Sequence, residues 1–193
     1  MKIIDGLHKG VQLPGVVCLE LDSYKDPRGS FMETWSRCKY HEVGINADFV
    51  QDNHSVSRRH VVRGLHYSLD GVAKLVRVAF GEVLDVVVDL RKGSPCFGKW
   101  ASYKLSSENC RQLFIPGGFA HGFIAVKSLN LFQYKVDRYY NRELDRGIRW
   151  NDPELGIEWE TESGVAPDDA VLSEKDRELP FLSESQIPFV YEV

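Results

Sequence analysis

Ile115-Pro116-Gly117-Gly118-Phe119-Ala120-His121-Gly122-Phe123 decides the fold when it is set beside Arg63-Gly64-Leu65-His66-Tyr67. Each segment carries one histidine amid apolar residues, and both lie in a β-rich sequence with almost no helix signal. Together they suggest a barrel with a histidine-lined interior.

Outward from these segments, Val72 to Leu90 is largely β-branched or apolar, interrupted in the middle by Gly81-Glu82, which predicts two strands and a turn. Further β-like runs follow at 100–105, 112–115, 122–126 and 129–139, separated by short Gly-, Ser- or Asn-containing connections. Asp26-Pro27-Arg28-Gly29 is a turn by composition, with a possible strand over 30–35 behind it. Short helices are expected only at Ser36–Val43 and Ser173–Arg177. The fold class is therefore all-β, an antiparallel sandwich or barrel with a few short helices.

Successive side chains of a strand point to opposite faces. Lys74, Val76, Val78 and Phe80 therefore share one face, opposite Leu75, Arg77 and Ala79. Lys74 is either a strand-end lysine reaching for water or a cation at a pocket mouth. The same count puts Phe132, Tyr134 and Val136 on one face, so Tyr134 points into the barrel, where its hydroxyl needs a partner.

Length and charge bound the possibilities. The 193 residues suit a single domain, and a net charge of -4 gives no broad positive field for a nucleic-acid backbone. No apolar run approaches the roughly 20 residues that cross a bilayer, and no basic-apolar leader opens the chain, so a cytoplasmic protein is expected. Cys18, Cys38, Cys96 and Cys110 form no C-x-x-C pair and read as isolated buried thiols. Neither phosphate-cradling glycine motif, G-x-x-x-x-G-K-[ST] or G-x-G-x-x-G, is present.

Pro116 to His121 fits the P-x-G-x-x-H pattern of cupin barrels, many of which bind a metal through an H-x-H pair, a nearby glutamate and this later histidine. Here the first motif reads His66-Tyr67-Ser68, so one ligand is missing and no glutamate follows it closely. No metal and no organic cofactor are expected. What remains is His66, His121, Tyr134, Lys74 and Arg63, a set able to move protons next to a carbonyl.

Several motifs then agree, in order, over nearly the whole chain. They are Asp26-Pro27-Arg28-Gly29-Ser30-Phe31-Met32-Glu33, Gln51-Asp52-Asn53 with Ser55 and Ser57, Arg63 to Tyr67, and Lys74-Leu75-Val76. Asp85 to Arg91, Pro116 to Phe123, Tyr134-Lys135, Trp150-Asn151-Asp152-Pro153 and Ser173-Glu174-Lys175-Asp176 follow. In these the chain resembles the dTDP-4-dehydrorhamnose 3,5-epimerase family of sugar-nucleotide enzymes.

The resemblance implies a cupin-type jelly roll, one domain over 1–193, and a substrate that is a nucleoside-diphosphate 4-keto-6-deoxy sugar. It implies His66 as base with Asp176 as its partner, Tyr134 as acid on the opposite face, and Lys74 beside the developing C4 oxyanion. By the same resemblance Arg28, Phe31, Glu33, Gln51, Asn53, Arg63, Lys74, His121, Asp145 and Lys175 bind substrate, although Glu33 and Asp145 also read as exposed salt-bridge residues. It further implies a homodimer in which the amino-terminal segment, about 1–50, crosses to the partner barrel, while residues from about 165 to 193 pack on the barrel.

Two departures stand out. Ser68 occupies the position of a glutamine in the family's RGLHYQ, and His66 to Lys74 is one or two residues shorter than in the family. Inversion at C3, at C5 or at both therefore stays open, as does a sugar-nucleotide ketoisomerase or a binding cupin. A metal-dependent cupin oxygenase is the more distant alternative.

Overall fold

The computed structural model describes residues 1–4 and 8–192, with His8 described by its backbone alone. Its strands are β1 (Lys2–Ile3), β2 (His8–Gly10), β3 (Val17–Glu20), β4 (Tyr24–Asp26), β5 (Gly29–Phe31), β6 (Gln51–Arg58), β7 (Val62–Ser68), β8 (Lys74–Phe80), β9 (Glu82–Asp89), β10 (Trp100–Ser106), β11 (Arg111–Ile115), β12 (Phe119–Ala125), β13 (Leu129–Val136) and β14 (Asp145–Gly147). The α-helices are α1 (Arg37–Glu42), α2 (Trp159–Ser163) and α3 (Glu174–Arg177), with short 3-10 turns at Pro167–Asp169 and Leu182–Glu184.

Two six-stranded sheets, ordered β1-β3-β11-β8-β13-β6 and β14-β7-β12-β9-β10-β2, face one another, and every paired strand in them is antiparallel. The main core lies between the sheets, where Val76, Val78, Val83, Val87, Leu113, Ile115, Phe119, Phe123 and Phe132 meet. A second cluster, including Leu84, Val86, Val88, Trp150 and Trp159, covers the outside of the second sheet with carboxyl-terminal chain. Both faces of β9 are thus buried, which explains its nearly unbroken apolar run. Leu75 packs outward against Tyr40 and Ile45, so α1 covers part of the first sheet's outer surface.

The hairpin expected between Val72 and Leu90 is β8–β9, turning at Gly81, whose φ of 88° is open to glycine at little cost. Phe80 departs from the alternation argument: it is 58% exposed although it shares parity with Val78. The register between β8 and β13 shifts at Leu131/Phe132, and such a bulge turns the last residue of β8 away from the core.

Other boundaries move as well. The strand placed at 30–35 is only β5, which with β4 forms a two-stranded hairpin outside both sheets. The strand placed at 129–139 ends at Val136, and that placed at 122–126 begins earlier, at Phe119. The thiols are not uniformly buried, since Cys38 is exposed and Cys96 and Cys110 are half-buried; only Cys18 is in the core. Much of the amino-terminal segment belongs to this chain's own sheets, β3 pairing with β11 and β1 with β3. Among the described residues no helix is long and apolar enough to cross a membrane.

Candidate active site

A cavity of about 560 Å³ opens between the sheets at one end of the barrel. Its walls come from β6 (Gln51, Asn53), β7 (Arg63, His66, Ser68), the start of β8 (Lys74), β12 (His121) and β13 (Tyr134), with Phe123, Phe132 and Val136 as apolar lining. Strand pairing sets the spacing: His66 lies opposite His121, Tyr134 opposite both Asn53 and Val76, and Asp145 opposite Ser68.

Close backbone approach makes this pairing possible at β7. A side chain on Gly64 would put its Cβ 2.6 Å from Gly122 Cα, and one on Gly122 would come within 2.7 Å of Arg63 O. Those two glycines bring the two histidine-bearing strands together.

His66 Nε2 lies 2.7 Å from Asp176 Oδ1. Asp176 is buried on α3, and burial alone would raise its pKa. The His66 hydrogen bond and charge, the Gly64 amide and the Ser173 hydroxyl outweigh that effect and hold the carboxyl below its ordinary value. An ionised carboxylate only accepts, so Nε2 of His66 donates to it, and in the neutral ring the lone pair then lies on Nδ1. His66 itself is 32% exposed, open to the cavity.

His121 forms the neighbouring pair, Nε2 to Asp85 Oδ2 at 2.8 Å, with Asp85 fully buried on β9. Burial pushes the imidazole down and the carboxyl up, each moderated by the other. His121 is therefore neutral near pH 7 and stacks 6.1 Å from Phe132.

Lys74 donates to the carbonyl of His66 at 3.3 Å. Burial lowers its pKa to about 8, against the opposing pull of Asp85 and Asp145. It is a cation of the cavity wall rather than a lysine stretched to bulk water. Tyr134 faces the same space, and burial raises its phenol above the ordinary range although the Arg63 charge opposes the shift. Lys74 and Tyr134 thus meet in one interior, as alternation along their strands requires.

At the rim, Lys175 Nζ pairs with Asp145 Oδ2 at 2.6 Å, and Tyr140 donates to the same oxygen at 3.4 Å. Gln51 donates to Asn53 at 2.9 Å and accepts from the Tyr140 amide at 3.0 Å. Arg63 donates to Ser57 Oγ at 3.0 Å. Ser68, the residue that departs from the family pattern, donates to Asp70.

The cavity brings together His66, Asp176, Tyr134, Lys74, Gln51, Asn53, Arg63, His121, Asp145 and Lys175. Arg28, Phe31 and Glu33 are not in its lining. Arg28 pairs with Asp26 on the β4–β5 hairpin, Phe31 is 70% exposed and Glu33 pairs with Lys39. Sequence reading missed the role of Asp85. The available signal was an aspartate of the same parity as Val83 and Val87 in an apolar strand, hence a charge aimed at the core. It also missed the rim residues Arg138, Tyr139, Tyr140 and Asn141, which line the cavity from the loop after β13. Among the described residues no group of three His, Cys, Asp or Glu side chains is arranged to hold a metal ion.

Two carboxylate-bound imidazoles, a phenol and an ammonium around a half-apolar cavity can take a proton from carbon, stabilise the resulting oxyanion and return a proton. Residues 10–184 match the family model described as dTDP-4-dehydrorhamnose 3,5-epimerase. The chain is 46% identical over 176 residues to the dTDP-4-dehydrorhamnose 3,5-epimerase of Methanothermobacter thermautotrophicus, covering 91% of this chain and 94% of that one. It is 47% identical over 168 residues to the enzyme of that name from Pseudomonas aeruginosa, with 86% and 90% covered. A crystal structure of a dTDP-6-deoxy-D-glucose-3,5-epimerase from Legionella pneumophila, in complex with dTDP-4-keto-L-rhamnose, superposes with a TM-score of 0.89 at 39% identity. It covers 96% of this chain and all of that one.

Proposed function

The chain belongs to the dTDP-4-dehydrorhamnose 3,5-epimerase family, and from that premise we propose how its own residues carry the reaction. The protein is an isomerase of dTDP-linked 4-keto-6-deoxy sugars, and the C4 ketone of such a substrate acidifies the hydrogens at C3 and C5.

His66 Nδ1 removes a proton from the carbon beside the ketone. The C–H electron pair moves into a C=C bond, and the carbonyl electrons move onto the C4 oxygen. Asp176 stabilises the imidazolium that forms, through the Nε2–H bond. The ammonium of Lys74 stands by the oxyanion, where partial desolvation strengthens its attraction. Tyr134, whose burial keeps the phenol protonated, returns a proton to the carbon from the opposite face, so the centre inverts.

Around this centre Arg63 and Lys175 answer the diphosphate, while Gln51, Asn53, His121 and Asp145 answer the nucleoside and sugar. The observation that carries the reading is His66 and Tyr134 in one cavity, the first on a buried carboxylate and the second held neutral.

We further propose a cytoplasmic homodimer in which the β4–β5 hairpin delivers Arg28, Phe31 and Glu33 to the partner's cavity. These three lie outside the chain's own site, and on the hairpin Tyr24 is 65% and Phe31 70% exposed. The exchanged part is this hairpin, since β1 and β3 are held by the chain's own sheet.

The test is incubation with dTDP-4-keto-6-deoxyglucose in deuterated water, with exchange at C3 and C5 followed by NMR. Deuterium should enter at those carbons and nowhere else on the ring. A folded sample that exchanges neither refutes the assignment for this substrate.

A further inference from the structure

Asp176 reaches His66 from outside the barrel. The two are 110 residues apart in sequence, and the segment that brings the carboxylate is α3, four residues long. So short a helix has no stability of its own. Apolar packing does not hold it either: Glu174, Lys175 and Arg177 are exposed, and Asp176 is its one buried residue.

The flanks of the segment are fixed. Val171 exchanges backbone hydrogen bonds with the β6–β7 connection, its amide donating to His60 O and its carbonyl accepting from Val62, both at 2.9 Å. Beyond α3, Arg149 donates from Nε to Leu179 O at 2.9 Å and from its amide to Pro180 O at 2.8 Å, with its guanidinium 4.5 Å over the Phe181 ring. These anchors fix where the segment runs, but they leave open the rotation of a single turn between them.

Ser173 closes that freedom. It stands in extended conformation at the N-cap of α3, and its Oγ accepts the Asp176 amide N–H at 3.1 Å. The same hydroxyl helps hold the Asp176 carboxyl below its ordinary value. A carboxylate seated at 2.7 Å from an imidazole is sensitive to small displacements, because such a bond weakens steeply with misalignment.

We propose that Ser173 is a positioning residue for the base: it fixes the turn of α3 so that the Asp176 carboxylate holds His66 in the Nε2–H tautomer, with Nδ1 free toward substrate. The catalytic part of this inference rests on the epimerase reading above, whereas the tautomer part does not.

The test compares Ser173→Gly, Ser173→Asp and Ser173→Thr with the unmodified protein. Glycine and aspartate are both accepted at an N-cap, so those variants keep the fold while losing the hydroxyl, and threonine keeps both hydroxyl functions. The first readout is the ring 15N shifts of His66 in the protein without substrate, which report its tautomer. The second is solvent exchange into the 4-keto sugar nucleotide, resolved into kcat and KM.

Ser173→Gly should lose the Nε2–H bias and about tenfold in kcat, the rate equivalent of one hydrogen bond, with KM little changed, whereas Ser173→Asp, whose carboxylate still accepts the Asp176 amide, should keep the bias. Ser173→Thr should restore both. Unchanged His66 shifts and kcat in a folded Gly variant overturn the proposal, leaving Ser173 a helix cap only. If the unmodified protein exchanges nothing, the epimerase reading fails, while the 15N shifts still decide whether Ser173 sets the tautomer.

Discussion

Replacing Asp176 by asparagine tests the centre of the mechanism with almost no change of shape. In the native site an ionised carboxylate lies 2.7 Å from His66 Nε2. When His66 takes the substrate proton it becomes a cation, and the attraction between the two charges exists only from that moment. For charge centres about 4 Å apart and an effective dielectric of about 20, that attraction is about 4 kcal/mol. His66 is 32% exposed, so solvent screening reduces the figure to about 2–3 kcal/mol. Removing the charge should therefore slow proton abstraction about 30- to 160-fold. Asparagine can also present its amide to Nε2 and favour the wrong tautomer, which adds to the loss in the same direction. The assay is deuterium entry at C3 and C5 under saturating substrate, with KM measured alongside, and KM should stay within a factor of about two because the charge pair forms in the proton transfer and not on binding. An Asp176→Asn enzyme that exchanges at the native rate refutes the reasoning, as does one whose whole defect lies in KM.

Other perturbations follow from the same geometry. His66→Ala should abolish exchange at both carbons, and Tyr134→Phe should keep exchange while cutting product formation about 10²-fold or more. Both are read by NMR of one reaction mixture. The Lys74 ammonium, with its pKa lowered to about 8 by burial, should lose charge above that pH, so kcat should fall there, and Lys74→Met should be slow and lack this limb. For stability the sign is opposite. From about 8 to the ordinary lysine value the unfolded chain binds more protons than the folded one, so the cost of burying the charge is present at pH 7 and relieved as pH rises. Discounted for partial solvent contact, Lys74→Met should gain about 2 kcal/mol at pH 7 in urea unfolding. Gly64→Ala should lose about 3 kcal/mol or fail to fold, because the added Cβ meets Gly122 Cα at 2.6 Å and the Gly64 φ of 124° is strained for alanine. Circular dichroism melting measures the change.

Where the sequence was readable, one physical pattern was at work. Alternation across β8 and β13 placed Lys74 and Tyr134 on inward faces because both strands have a wet or covered outer face and a core-facing inner one. Strand β6, Gln51 to Arg58, escaped the β-run reading because its residues are mostly polar, their exposure alternating on a sheet edge that apolar counting cannot detect. α2 was missed because its five residues owe their place to Trp159, which packs on Trp150 and donates to its carbonyl at 2.8 Å. The readings of Glu33 and Asp145 as salt-bridge residues both describe their contacts here, with Lys39 and Lys175. For Asp145 this coexists with a place in the cavity wall.

The sequence by itself determined the β architecture, the inward face of Lys74 and Tyr134 and, through ordered motifs, the family, because these depend on local periodicity and on residue identity along the chain. Only the tertiary structure decided which carboxylate meets which imidazole. Asp176 joins His66 across 110 residues and Asp85 joins His121 across 36, through register and a short helix that no local preference encodes. Protonation follows from those meetings, since it is burial that moves Lys74, Tyr134 and His121 from their ordinary values.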